Sequence, residues 1–111
     1  MADDRCMLFV CSANRLRSPT AEAIFKEHDG LHVRSAGLDE SATVPLDRAL
    51  VAWADRIFVM EQAHRKKLKR RFREALGDTP VIVLGIRDEY EFMQPELIEI
   101  LQAKVPPFLP R

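Results

Sequence analysis

Cysteine is nearly missing from this chain: of 111 residues only Cys6 and Cys11 carry a thiol. Both lie on what reads as one strand and its exit, a poor arrangement for a structural disulfide. That excludes a disulfide-framed extracellular domain and favours a reducing, cytoplasmic setting. Glycine (4) and proline (7) are too few for a collagen-like or low-complexity chain. No apolar run approaches the ~20 residues that a membrane-spanning helix needs. The opening Met1-Ala2-Asp3-Asp4-Arg5 is too acidic and polar for a secretory signal. Neither sign of charge dominates, since 17 Lys and Arg face 17 Asp and Glu. This balance argues against binding nucleic acid or a membrane through bulk charge. What is present, 47% hydrophobic and 31% charged residues, suffices for a packed core. Residues 1–111 are expected to form one soluble domain of α/β or α+β class.

The order of segments narrows that class. Cys6 to Val10 is a continuous apolar run, as in a strand buried on both faces. Ser18-Pro19-Thr20 then opens a helix, with Ser18 as N-cap, Glu22 in the first turn, and Asp29-Gly30 as the stop. His32 to Ser35 reads as a second strand, closed by Ala36-Gly37, and Asp39 to Thr43 as a polar loop. Pro45 begins a second helix carrying Leu46, Ala49, Leu50 and Trp53. Arg56 to Met60 is a third strand, Gln62 to Leu76 a third helix, Val81 to Leu84 a fourth strand, and Pro95 to Ala103 a last helix. Short apolar strands alternating with helices predict a four-stranded parallel sheet with helices on both faces. In such sheets the ligand site lies beyond the carboxyl ends of the strands.

The loop leaving the first strand, Cys11-Ser12-Ala13-Asn14-Arg15-Leu16-Arg17-Ser18, carries the chemistry. It sets a cysteine at a strand's carboxyl end and an arginine just before a helix N-terminus. Backbone N–H groups of such a loop converge on one spot, and the helix dipole adds positive potential. Phosphate suits that field, and so does a thiolate, which makes Cys11 a candidate nucleophile. Arg17 offers a planar fork for two phosphate oxygens. Singly, such a cysteine is ordinarily a small core residue and such an arginine a solvated one. It is their combination, between a buried strand and Ser-Pro, that points to a site.

Leu8-Phe9-Val10-Cys11, Asn14 and the run Arg17-Ser18-Pro19-Thr20-Ala21-Glu22-Ala23-Ile24-Phe25 resemble the low-molecular-weight protein tyrosine phosphatase family. Ser35-Ala36-Gly37 and Asp55-Arg56-Ile57-Phe58-Val59-Met60 extend the resemblance, which spans Met7 to Tyr90. It implies a flavodoxin-like three-layer fold and hydrolysis of a phosphotyrosine protein or small aryl phosphate, with no cofactor or metal. It also implies roles. Cys11 would form a cysteinyl-phosphate, while Arg17 and the loop residues Ser12, Ala13, Asn14, Arg15, Leu16 and Ser18 would bind phosphate. Ser18 would hydrogen-bond the Cys11 sulfur, and Asn14 would brace the loop. In Ile86-Arg87-Asp88-Glu89-Tyr90, Asp88 falls at the place of the general acid, with Glu89 and Glu91 as substitutes. Tyr90 would pack against the substrate ring.

The sequence departs from that pattern at several points. Ala13 stands where the family has glycine, a strain on the order of 1 kcal/mol if that backbone needs positive φ. Leu16 replaces a second loop cysteine. Cys6, about 16 Å away at about 3.3 Å per residue, is beyond bridging distance, so peroxide is expected to oxidise Cys11 irreversibly. Glu89 replaces a proline after the acid. Gly37 to Asp55 is short, so the cleft wall is expected to be missing or rebuilt from Leu38 and Asp39. Arg15 at the cleft mouth would favour acidic phosphopeptides.

Two rival functions remain open at this level: an arsenate reductase served by an external thiol, and a phosphate-binding module with impaired catalysis. The basic run His64 to Arg73 reads as the solvated face of a helix whose Leu68 and Phe72 are buried, not as a nucleic-acid site. His28, His32 and His64 are too scattered to ligate a metal.

Overall fold

A computed structural model describes residues 5–110, so the reading of Met1 to Asp4 as a non-signal lies outside the described residues. Four strands, β1 (Cys6–Cys11), β2 (His32–Gly37), β3 (Arg56–Val59) and β4 (Val81–Val83), pair in parallel in the order β2-β1-β3-β4. β1 is flanked by strands on both sides and covered on both faces, which is why its sequence is apolar without alternation. Its side chains still point alternately to two cores. Met7, Phe9 and Cys11 join Phe58 and Met60 on one face, beneath α1 (Arg17–Phe25) and α5 (Pro95–Lys104). Leu8 and Val10 join Ile57 and Val59 on the other, beneath α2 (Arg48–Trp53), α3 (Gln62–Arg71) and α4 (Arg73–Leu76). The expected sheet covered by helices on both faces is therefore the observed one. Phe9 stacks between Phe25 and Phe58, with ring centroids 5.8 and 4.9 Å away, so the first core is pinned at the strand that carries the cysteine.

Several boundaries differ from the sequence expectation, each for a local reason. β1 runs one residue further, because Cys11 still pairs with Gly37. Ser18 does not cap α1: the helix begins at Arg17, and the Ser18 hydroxyl turns to the Cys11 sulfur instead. That helix ends at Phe25, and Asp29-Gly30 belongs to the turns that follow. Pro45 does not open α2. It bridges to Gly37 beside the sheet, and Asp47 caps the helix by accepting the Leu50 N–H at 2.8 Å. The helix from Gln62 breaks at Phe72, whose backbone leaves the helical region (φ −125°, ψ 33°) while its ring stays in the core. Beyond the break, α4 completes the same buried stripe with Leu76. The basic side chains Lys66, Lys69 and Arg70 lie exposed on the far side from Leu68. Among the described residues no helix is long and apolar enough to cross a membrane.

The strand order creates the site. From β1 the chain winds outward to β2 on one side, then crosses to β3 on the other. The crevice at the carboxyl ends of β1 and β3 is therefore the topological switch point where such sheets bind ligands. Gly37, at the end of β2, lets the loop after β1 settle there. A Cβ at this position would lie 2.5 Å from the Ser12 carbonyl oxygen and 2.9 Å from the Asn14 nitrogen, both backbone atoms. Gly37→Ala should consequently force the loop off the sheet and cost about 1–3 kcal/mol, read as a lowered urea midpoint with unchanged slope.

Candidate active site

The residues after Cys11 cross the crevice and enter α1 at Arg17. One of them is left-handed: Asn14 at φ 53°. An asparagine tolerates that region better than most residues, and its side chain then braces the turn. Nδ2 donates to Ser18 Oγ at 3.0 Å and Ser35 Oγ at 2.9 Å, and Oδ1 accepts the Val44 N–H at 3.1 Å. Ala13, by contrast, has negative φ, so the strain expected from replacing glycine does not arise. Leu16 offers α1 no side-chain cap, which leaves the helix's first N–H groups for a bound anion.

The Cys11 sulfur is almost wholly buried and lies 2.9 Å from Ser18 Oγ. Ser18 Oγ accepts from Asn14, and its one proton has two acceptors in reach, the Ala36 carbonyl at 3.4 Å and the nearer sulfur, which takes it when Cys11 is a thiolate. Arg17 is equally buried, at 3% exposure, and is held by three residues from the two segments that follow β3 and β4. Nη1 donates to Glu61 Oε2 at 2.6 Å and to the Ile86 carbonyl at 2.8 Å, and Nε lies 3.7 Å from Asp88 Oδ1. The Arg17 hydrogen bond holds the Glu61 carboxyl below its ordinary range, against the opposing effect of burial.

A pocket of about 250 Å³ opens over the sulfur, lined by Cys11, Ser12, Ala13, Arg15, Leu16, Arg17 and Asp88. The structure thus brings the expected nucleophile, arginine and acid to one cavity. Asn14 and Ser18 lie behind the loop rather than in the lining. Tyr90 is half-buried against the first core and is not among the residues that line this pocket. Glu89 turns toward Arg87, at 3.5 Å. Leu38 and Asp39 do not rebuild the wall. Leu38 is buried in the second core, and Asp39 faces Lys67 at 3.8 Å. The apolar lining comes from Ala13 and Leu16 of the loop itself. Cys6, at the other end of β1, is held by burial and the nearby Asp55 carboxylate above the usual thiol range.

Two residues of the site went unnoticed in the sequence. Glu61 and His64 form a reciprocal cap at the start of α3, just after β3. The Glu61 carbonyl accepts the His64 N–H at 3.0 Å, and His64 Nδ1 accepts the Glu61 N–H at 3.1 Å. A backbone N–H can only donate, so the neutral ring carries its proton on Nε2 and donates it to Ser12 Oγ, 3.0 Å away. The Ser12 hydroxyl proton is then free for the pocket. The available signal was Glu-x-x-His directly after a buried strand, at the sheet end where ligands bind.

A buried cysteine and a buried arginine at either end of one loop, at the switch point of a parallel sheet, fit a thiol-dependent phosphatase. The family model for low molecular weight phosphotyrosine protein phosphatase matches residues 6–75, and the chain belongs to that family. It is a phosphatase that works through a cysteine nucleophile. Solved structures agree on the fold. Wzb of Vibrio vulnificus, in complex with benzylphosphonate, is 23% identical with a TM-score of 0.70, over 90% of this chain and 91% of that one. The tyrosine phosphatase Wzb of Escherichia coli K30, in complex with sulphate, is 20% identical with a TM-score of 0.69, over 92% and 94%. The YwlE arginine phosphatase of Geobacillus stearothermophilus is 26% identical with a TM-score of 0.64, over 90% and 82%. No curated protein matches in sequence.

His64 makes the site's stability sensitive to acid. Burial first, and then the Arg17 cation, hold its imidazole below the ordinary value of 6.5, against the pull of Glu61, Asp39 and Asp88. The unfolded chain therefore takes up this proton before the folded one does. The stabilisation is complete above pH 6.5 and is lost as pH falls toward the folded value. Glu61 adds its own loss only below its ordinary 4.5. Melting curves between about pH 7.5 and 5.5 should show a smaller drop in Tm for His64→Asn than for the wild type.

Proposed function

We propose that residues 1–111 act as one cytoplasmic domain that hydrolyses phosphotyrosine in proteins, or small aryl phosphates, with Cys11 as nucleophile and Asp88 as general acid. The observation that carries this is a single one: Cys11, Arg17 and Asp88 line the same pocket over the end of β1. In the first step the Cys11 thiolate attacks phosphorus in line. The S–P bond forms as the P–O bond to the ring breaks, and the departing oxygen takes the Asp88 proton. Arg17 and the N–H groups of residues 12 to 17 hold the three equatorial oxygens, where transition-state charge gathers. In the second step Asp88 takes a proton from water. The resulting hydroxide attacks phosphorus, the S–P bond breaks, and inorganic phosphate leaves with the thiolate restored. Ser18, donating to the sulfur, stabilises the thiolate both as attacking and as leaving group. None of these steps calls for a metal or cofactor.

The same scaffold serves an arginine phosphatase, so the leaving group has to be argued from the pocket. Arg15, exposed at the rim, repels a cationic guanidinium leaving group and attracts acidic residues beside a phosphotyrosine. Leu16 and Ala13, which line the pocket, offer a ring apolar contact. Arsenate reduction would need an external thiol, since no cysteine follows Cys11. The impaired-module reading rested on Ala13, Glu89 and the short cleft wall; Ala13 carries no positive-φ strain and Glu89 turns to Arg87, which leaves the short wall as its one ground.

Hydrolysis of p-nitrophenyl phosphate tests the assignment. Cys11→Ser should abolish turnover. Asp88→Asn should lower kcat by about 10²–10⁴-fold. Activity unaffected by Asp88→Asn would move the acid to Glu89 or Glu91. Wild-type protein that binds phosphate without turning over the ester would sink the assignment.

A further inference from the structure

The planar guanidinium of Arg17 has five N–H donors, and their directions decide how it can serve a phosphate. Nη1 has two, and both are engaged: one by Glu61 Oε2 at 2.6 Å, the other by the Ile86 carbonyl at 2.8 Å. Nη2 bonds to none of the described residues. Nε meets only the Asp88 carboxylate at 3.7 Å, which is ion-pair distance and too long for a hydrogen bond. Anchoring Nη1 from two directions fixes the plane and leaves the Nε–Nη2 edge free. That edge faces Asp88 and so the pocket, and its two parallel donors match two oxygens of a phosphoryl group.

Glu61 is itself held. It caps α3 in a reciprocal pair with His64, whose other ring nitrogen donates to Ser12 Oγ. One helix N-terminus thus holds both ends of the phosphate loop, Ser12 next to the cysteine and Arg17 six residues beyond it. We infer that Glu61 is a positioning residue for the phosphoryl transfer: it aims the Nε–Nη2 edge of Arg17 at the reacting phosphorus, and with His64 it clamps the loop's two ends at a set distance from Cys11. Glu61 does not compete with the substrate, since it occupies the nitrogen turned away from it. The inference rests on the reading of the Cys11–Arg17 loop as the phosphate site.

Two substitutions separate this role from helix capping. Glu61→Ser leaves a favourable N-cap but is too short to reach Arg17. Glu61→Gln keeps the reach and one acceptor oxygen but loses the charge. With p-nitrophenyl phosphate, Glu61→Ser should lower kcat about 10–100-fold while KM changes less than about threefold. Inhibition by vanadate, whose five-coordinate adduct resembles the transition state, should weaken by a factor similar to that in kcat, and inhibition by phosphate by less. Glu61→Gln should recover kcat to within about fivefold of wild type. Wild-type kcat and vanadate inhibition in Glu61→Ser, with only Tm lowered, would reduce Glu61 to a helix cap and overturn the inference. So would equal losses in the Ser and Gln variants, which would make the charge rather than the hold responsible. If Glu61→Ser does not fold, Glu61→Asp, one methylene shorter with charge and cap kept, is judged by the same outcomes. A wild type that fails to hydrolyse the ester overturns the site reading itself, a result distinct from either variant's.

Discussion

A guanidinium buried to 3% exposure is the constraint around which this site is organised. An unpaired cation at that depth costs several kcal/mol, so Arg17 is kept there only by partners that arrive from elsewhere in the fold. They come from the loops after β3 and β4: Glu61 at the start of α3, the Ile86 carbonyl, and Asp88. Each of these follows a strand, and the parallel order β2-β1-β3-β4 delivers all the strand ends to one side of the sheet. The fold is therefore what neutralises the arginine. The pocket is the space that arrangement leaves open to an anion.

The loop's shape depends on the same economy of partners. Asn14 takes the one left-handed conformation within it, and its amide joins Ser18, Ser35 and the Val44 N–H. Ser35 in turn donates to Glu22 Oε1 of α1. A line of hydrogen bonds thus runs from β2 through the asparagine to the hydroxyl beside the sulfur. No buried side-chain nitrogen or oxygen among the described residues lacks a partner. In a low-dielectric interior this complete pairing fixes geometry more firmly than any single bond would.

Much of this was legible in the residues themselves. The run from Cys6 to Val10 is apolar without alternation, and only a strand covered on both faces needs that. Cys11, Arg17, Ser18 and Asn14 declared themselves by lying within one loop, where spacing translates directly into geometry. What stayed hidden involved pairs distant along the chain. Glu61 meets Arg17 across 44 residues and His64 meets Ser12 across 52, and neither pairing leaves a periodic or compositional trace. Ser18 suits an N-cap by residue type alone, but its hydroxyl lies 2.9 Å from the Cys11 sulfur, the contact that the family resemblance implies. Leu38 and Asp39 border the cleft in sequence only. The short connection after Gly37 instead draws one into the core and the other toward α3.

The clamp across the mouth of the crevice also has a bearing on how the protein folds. A loop tied at both ends to a helix that begins some 44 to 52 residues later cannot take its final form from local interactions. The chain between must first be laid down as β2, α2 and β3, and the entropy of closing that long segment is lost before the contacts form. By that reasoning the phosphate loop should be ordered late, and its opening should be coupled to the contacts that α3 makes with the sheet. Its amides should accordingly exchange with the cooperative unit of the sheet rather than as a free loop.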